Sequence, residues 1–138
     1  MVVANRKAVR ALTMRGRKIG GVRPRGKIAM WPLMTGKRVQ MTEVILKKGF
    51  FHPLHSHPRN ESIGYVLSGR LRMRIGDEEF LLGPGDAWHH GLGAYHSSEA
   101  LEDTHLVEAH TPPRRDYVVT RAKRPEGIRK AKRGRLRP

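Results

Sequence analysis

The sequence predicts an all-β fold: an antiparallel sandwich or barrel of short strands, held between basic, partly disordered termini. Three observations predict it. Short runs of β-branched, aromatic and other apolar residues recur between Gly, Pro and Asp turn signals. Residues 70–75 alternate strictly, with Leu71, Met73 and Ile75 on one face and Arg70, Arg72 and Arg74 on the other. Charge is also segregated along the chain. Residues 1–27 hold nine Lys/Arg and no acid, residues 28–113 hold eight against ten acids, and residues 114–138 hold eleven against two. The chain therefore divides into a basic N-terminal arm (1–27), a barrel (28–120) and a basic C-terminal tail (121–138).

In order along the chain, the arm shows no sustained period. Gly16, Gly20, Gly21, Pro24 and Gly26 interrupt any long helix, residues 2–14 offer only a thin apolar face for a short one, and the arm reads as mostly extended or disordered. Strands are expected over 28–34, 39–46, 50–57, 62–67, 70–75, 79–82, 87–90, 95–100 and 104–111, with a last edge strand over 117–120. Ser68-Gly69 joins two of them as a tight hairpin. Gly76-Asp77 and Gly83-Pro84-Gly85-Asp86 mark the next turns. The tail has little to bury, and its last residues, RGRLRP, resemble a minor-groove-binding RGRP hook interrupted by Leu136.

Composition narrows the function. There is no cysteine, which excludes a disulfide framework, thiolate metal ligation and cysteine catalysis. No run of 18 apolar residues is present for a membrane span, and no apolar stretch follows the N-terminal charges as a secretory signal requires, so a cytoplasmic protein without membrane attachment is expected. All eight histidines fall between His52 and His110, inside the barrel segment.

The segment His52-Pro53-Leu54-His55-Ser56-His57-Pro58-Arg59-Asn60-Glu61 carries the most chemistry. On a strand, His55 and His57 point to one face and can chelate a divalent metal. Glu61, after a proline turn, can add an oxygen, and His96, entering a new strand after a glycine-rich loop, is the best third imidazole. Such a site keeps open positions, as catalytic metal sites do. His55-x-His57 taken alone more often marks exposed histidines than a metal site.

The surrounding pattern resembles the cupins. Gly49, five residues, His55-x-His57, three residues, Glu61 and the hairpin Gly69 are similar to the first cupin motif. Gly85, followed by Gly91-x-Gly93, two residues and His96, resembles the second, with Gly91 in the place of a proline. The resemblance covers roughly residues 30–120. It implies a double-stranded β-helix (jelly-roll) barrel and a metal held by His55, His57, Glu61 and His96. Seven residues separate Glu61 from Gly69 where six are usual, so either a one-residue bulge absorbs the offset or Ser62 occupies the acid's position. One of His89 and His90 is expected to face inward.

Glu108-Ala109-His110-Thr111-Pro112-Pro113-Arg114-Arg115-Asp116 further resembles the end of the pectin-degradation cupins that linearise unsaturated monouronates. The resemblance implies that Arg114 clamps a substrate carboxylate and that Glu108, at the position of the family's aspartate, moves protons. His110 replaces a phenylalanine and supplies a second acid/base group. Against this stand plainer roles: an outward, salt-bridged Glu108 and an Arg114 that merely begins the tail. The implied cofactor is a divalent transition metal, Mn, Fe, Ni, Zn or Cu, which His and carboxylate ligands suit alike. The implied partners are a small-molecule acidic substrate and a second copy of the chain in a homodimer. A non-haem metal dioxygenase and a non-catalytic small-ligand cupin are alternatives, as is nonspecific nucleic acid contact through the arms, which lack aromatics for stacking.

Overall fold

A computed structural model of the chain describes residues 3–14, 16–117 and 127–131. Nine strands form two antiparallel sheets: β1 (Ile28–Thr35), β2 (Gln40–Leu46), β3 (Phe51–His55), β4 (Glu61–Ser68), β5 (Leu71–Ile75), β6 (Glu78–Leu82), β7 (Ala87–His90), β8 (His96–Ala100) and β9 (Thr104–Thr111). One sheet runs β1-β2-β9-β4-β7 and the other β3-β8-β5-β6. Every expected strand of the barrel is present within a residue or two, except that β3 ends at His55. The expected strand at 117–120 is replaced, at its one described residue, by a 3-10 turn over Arg115–Tyr117. Residues 118–120 lie outside the described residues, as does most of the tail. Among the described residues no helix is long and apolar enough to cross a membrane.

Register sorts the barrel interior into layers. Alternation on β2 turns Gln40, Thr42, Val44 and Leu46 inward. Pairing then aligns Val44 with Leu106 and Leu106 with Val66, an apolar row continued by Met30, Leu71 and Met73. Four residues away on the same strands, Gln40 pairs with His110, His110 with Ser62 and Ser62 with His90. One end of the interior is thus a hydrocarbon core and the other a layer of imidazole, amide and hydroxyl groups. Between them sits Trp88, its indole packed on Gly64, where any Cβ would overlap the ring.

The N-terminal arm differs from its expected detachment. Met14 and Ile19 are members of the hydrophobic core, and Ala8 and Val9 are buried too. Leu12 exchanges two backbone hydrogen bonds with Met30 on β1, and Arg25 does the same with Phe51 on β3. The arm so covers one outer strand of each sheet, β1 and β3, edges that would otherwise template pairing with another chain. Arg6 lies over the Trp31 ring, 5.0 Å from its centroid, and meets Glu43 at 3.2 Å. The described lysines and arginines of the arm stay exposed. Four buried side chains scattered among nine cations suffice to dock it, because docking also satisfies edge N–H and C=O groups.

Candidate metal centre

Six of the eight histidines line one cavity of about 80 Å³ inside the barrel. His55 and His96 are direct cross-strand partners on β3 and β8. A register shift between His52 and His55 turns both of those residues inward, which strict alternation would forbid. His57 lies beyond the end of β3, so it reaches the cavity from the following loop and not by strand alternation. His55, His57 and His96 each offer one nitrogen, all within 4.8 Å of one another. Three nitrogens about 2.1 Å from one ion at tetrahedral angles stand about 3.4 Å apart, so the rings close on an ion by up to roughly 1.4 Å.

The donor set fits a divalent metal. His55 Nδ1–H donates to the Pro53 carbonyl at 2.6 Å and His96 Nδ1–H to the Ala94 carbonyl at 2.9 Å. These bonds orient both rings and leave each Nε2 with a free lone pair, the arrangement that metal-ligating histidines adopt. Burial holds His55 and His57 neutral, with pKa values lowered to about 3, and lowers His52 and His96 as well. Neutral imidazole is the form that binds metal. An Arg114 N–H donates to His57 Nδ1 at 3.3 Å. Ligation by either nitrogen of a neutral His57 ends that bond, because Nδ1 then holds the metal or the proton.

Glu61 is not part of this cluster. On β4, Ser62, Gly64 and Val66 turn inward, and Glu61 points to the opposite face, where its Oε1 meets His89 Nε2 at 2.7 Å. The strand does carry an irregularity, but between Val66 and Ser68, beyond the stretch whose alternation sets the direction of Glu61. Ser62 therefore occupies the inward position expected of the acid. Its hydroxyl approaches His90 Nδ1 at 3.4 Å. His90 is the inward member of its pair: it stacks on His96 with centroids 3.6 Å apart, its Nε2 has no hydrogen-bond partner, and burial lowers its pKa to about 2.

Glu108, His110 and Arg114 all reach the cavity, so the outward roles considered for Glu108 and Arg114 do not hold. Glu108 Oε2 and His110 Nε2 stand 3.4 Å apart on one face of β9. Burial lowers the His110 pKa, against the opposing pull of Glu108. After β9 a cis Thr111–Pro112 bond turns the chain, and the Arg114 amide donates to Gln40 Oε1. The Arg114 side chain, 11% exposed, forks onto Asp116 at 3.2 and 2.8 Å and lies 4.2 Å over the Tyr117 ring. Burial disfavours its charge, but Tyr117 and the Asp116 carboxylate outweigh that and raise its pKa.

Sequence reasoning missed His52, Tyr117 and the arm residues Ile19 and Gly20, and it preferred Glu61 to Ser62 at the acid's position. His52 is hidden by the irregularity in β3, and Tyr117 was placed on a strand. Two adjacent glycines were the one visible sign that residues 19–22 form a tight turn.

Residues 42–109 match the cupin domain family model. No curated protein sequence matches the chain. Among solved structures, KdgF from Halomonas sp. is 27% identical, with a TM-score of 0.64 over 66% of this chain and 84% of that one. An RmlC-like cupin from Shewanella frigidimarina NCIMB 400 is 18% identical, with a TM-score of 0.70 over 86% and 96%. A predicted oxalate decarboxylase from Thermotoga maritima is 22% identical, with a TM-score of 0.63 over 80% and 96%.

Proposed function

With a cupin barrel as its fold, we propose that this chain is a metal-dependent enzyme acting on a small acidic sugar or related oxygenated acid. The leading version is linearisation of unsaturated monouronates. The observation that carries the reading is the convergence of His55, His57 and His96 on one point, with Arg114 and the Glu108–His110 pair beside it. The 27% identity to KdgF and the Glu108–Asp116 pattern support the uronate version.

His55, His57 and His96 would hold the ion, which when bound supplies a Lewis acid for a substrate oxygen. Arg114 lines the cavity; its Nε and Nη2 fork onto Asp116, so the guanidinium edge carrying Nη1 is the one a substrate carboxylate would meet. For a 4,5-unsaturated uronate, the hemiacetal hydroxyl loses its proton, the bond from C1 to the ring oxygen breaks and an aldehyde forms. The enolate left at C5 becomes a ketone as C4 takes up a proton. Nothing is gained or lost overall, so one group that accepts a proton and one that donates it suffice. Glu108 and His110 fill those two roles.

The test is a metal analysis of the purified chain, followed by an assay with unsaturated galacturonate that reads loss of the conjugated double bond. Metal-dependent loss supports the reading. A metal-loaded protein that leaves the double bond intact but consumes oxygen with an added acid points to the dioxygenase alternative. A chain that binds no divalent metal leaves a non-catalytic barrel.

A further inference from the structure

The N-terminal arm touches the metal centre itself. Ile19 and Val22 exchange both backbone hydrogen bonds, at 2.8 and 3.2 Å, around Gly20 and Gly21, whose φ angles are +60° and +77°. This two-residue turn, with positive φ at both central positions, where glycine carries no Cβ cost, is pressed against the imidazoles. A Cβ on Gly20 would stand 2.6 Å from His55 Cδ2, 3.0 Å from His57 Cε1 and 3.1 Å from the Ser56 carbonyl oxygen. A Cβ on Gly21 would meet nothing within 4 Å. His52 Nε2–H donates to the Ile19 carbonyl at 2.9 Å, with Val22 O at 3.3 Å, and the His52 ring stacks on His55 with centroids 3.6 Å apart. Ile19 itself is 6% exposed and lines the cavity.

We propose that the Gly20–Gly21 turn is a positioning element of the metal centre, with Gly20 setting where the His55 and His57 rings stand and His52 tying the turn to the back of His55. The inference deepens the metal-site reading above and rests on it. The turn holds two of the three ligands from outside, while the Pro53 and Ala94 carbonyls hold His55 and His96 from their Nδ1 sides. Outer contacts of this kind typically change metal affinity about ten- to a hundredfold when removed.

Gly20→Ala and Gly21→Ala form a matched pair. Both place a side chain at positive φ and carry the same kind of backbone cost, but only the first collides with the ligands. The metal-free full-length chain is titrated with cobalt(II), whose visible absorption reports coordination geometry. Gly20→Ala should bind at least about tenfold more weakly, with an altered spectrum, while Gly21→Ala melts at a similarly lowered temperature but keeps the wild-type affinity and spectrum. Equal affinity and spectra in the two variants would overturn the proposal while leaving the metal site standing. A wild-type chain that takes up no cobalt would overturn both. Should circular dichroism show Gly20→Ala unfolded, His52→Phe carries the test: it keeps an aromatic ring on His55 and removes the bond to the turn. Weaker cobalt binding is expected, and unchanged binding would count against the proposal.

Discussion

His55 and His96 face each other across the β3–β8 pair, with ring centroids 4.2 Å apart and each Nδ1 anchored to a backbone carbonyl two residues earlier in the chain. Residues far apart in sequence are made neighbours by strand register, and each ring is aimed by its own local segment.

Removal of one of these rings should empty the site. Metal content in His96→Ala and in His55→Ala is expected to fall from about one ion per chain to a small fraction of that, with the fold retained. Chelation of the wild-type chain should lower its melting temperature, because the ion binds only the folded state. Elemental analysis and thermal melts check both outcomes, and full metal content in either variant would contradict the ligand assignment.

Glu108→Gln keeps the size of the side chain and removes its ability to accept a proton. Metal content should stay unchanged while kcat on the acidic substrate drops by about 10²–10⁴. A change confined to KM would instead assign Glu108 to substrate binding.

Arg114→Gln should raise KM for an acidic substrate far more than it lowers kcat, since the carboxylate loses its guanidinium partner. The same variant should bind metal at least as tightly as wild type, because the guanidinium that donates to His57 Nδ1 is gone and a positive charge has left the site. Weaker metal binding would show that Arg114 supports the imidazole and does not compete for it.

The buried histidines make the metal-free protein sensitive to acid. His55 and His57 have pKa values lowered to about 3 and His90 to about 2, while the histidines of the unfolded chain protonate near their ordinary value of 6.5. Below that value the unfolded state binds more protons, so stability falls as pH drops from about 6.5 toward about 3 and is level above it. Each such histidine adds up to about 1.4 kcal/mol per pH unit to the slope. Urea midpoints between pH 7.5 and 4 measure it, and a flat profile would rule out neutral burial.

Gly64→Ala places a methyl group in the Trp88 indole. A loss of about 1–3 kcal/mol is expected from overpacking, read from denaturation midpoints. Trp88→Leu in the same chain should recover part of it, so that the two effects are not additive.

Much of the barrel was legible in the sequence because period-2 alternation and glycine turns are local signals. Leu71, Met73 and Ile75 separate from three arginines within six residues, with no tertiary information needed. The three imidazoles were legible for a similar reason: their spacing sits in a motif. Glu61 was misplaced because inward and outward exchange with a one-residue shift in phase, and the phase of β4 is set by its pairing with β7 and β9.

The sequence by itself determined the strands and the segregation of charge, which depend on residues close together in the chain, and its motif spacing named the histidines that converge. Only the tertiary structure decided that Ser62 and His90, not Glu61 and His89, face inward. It alone brought Arg114 to His57, and it alone laid Gly20 against the ligand rings. Those outcomes follow from register and from burial of a few residues in an otherwise charged arm, and neither quantity exists until distant segments pack together.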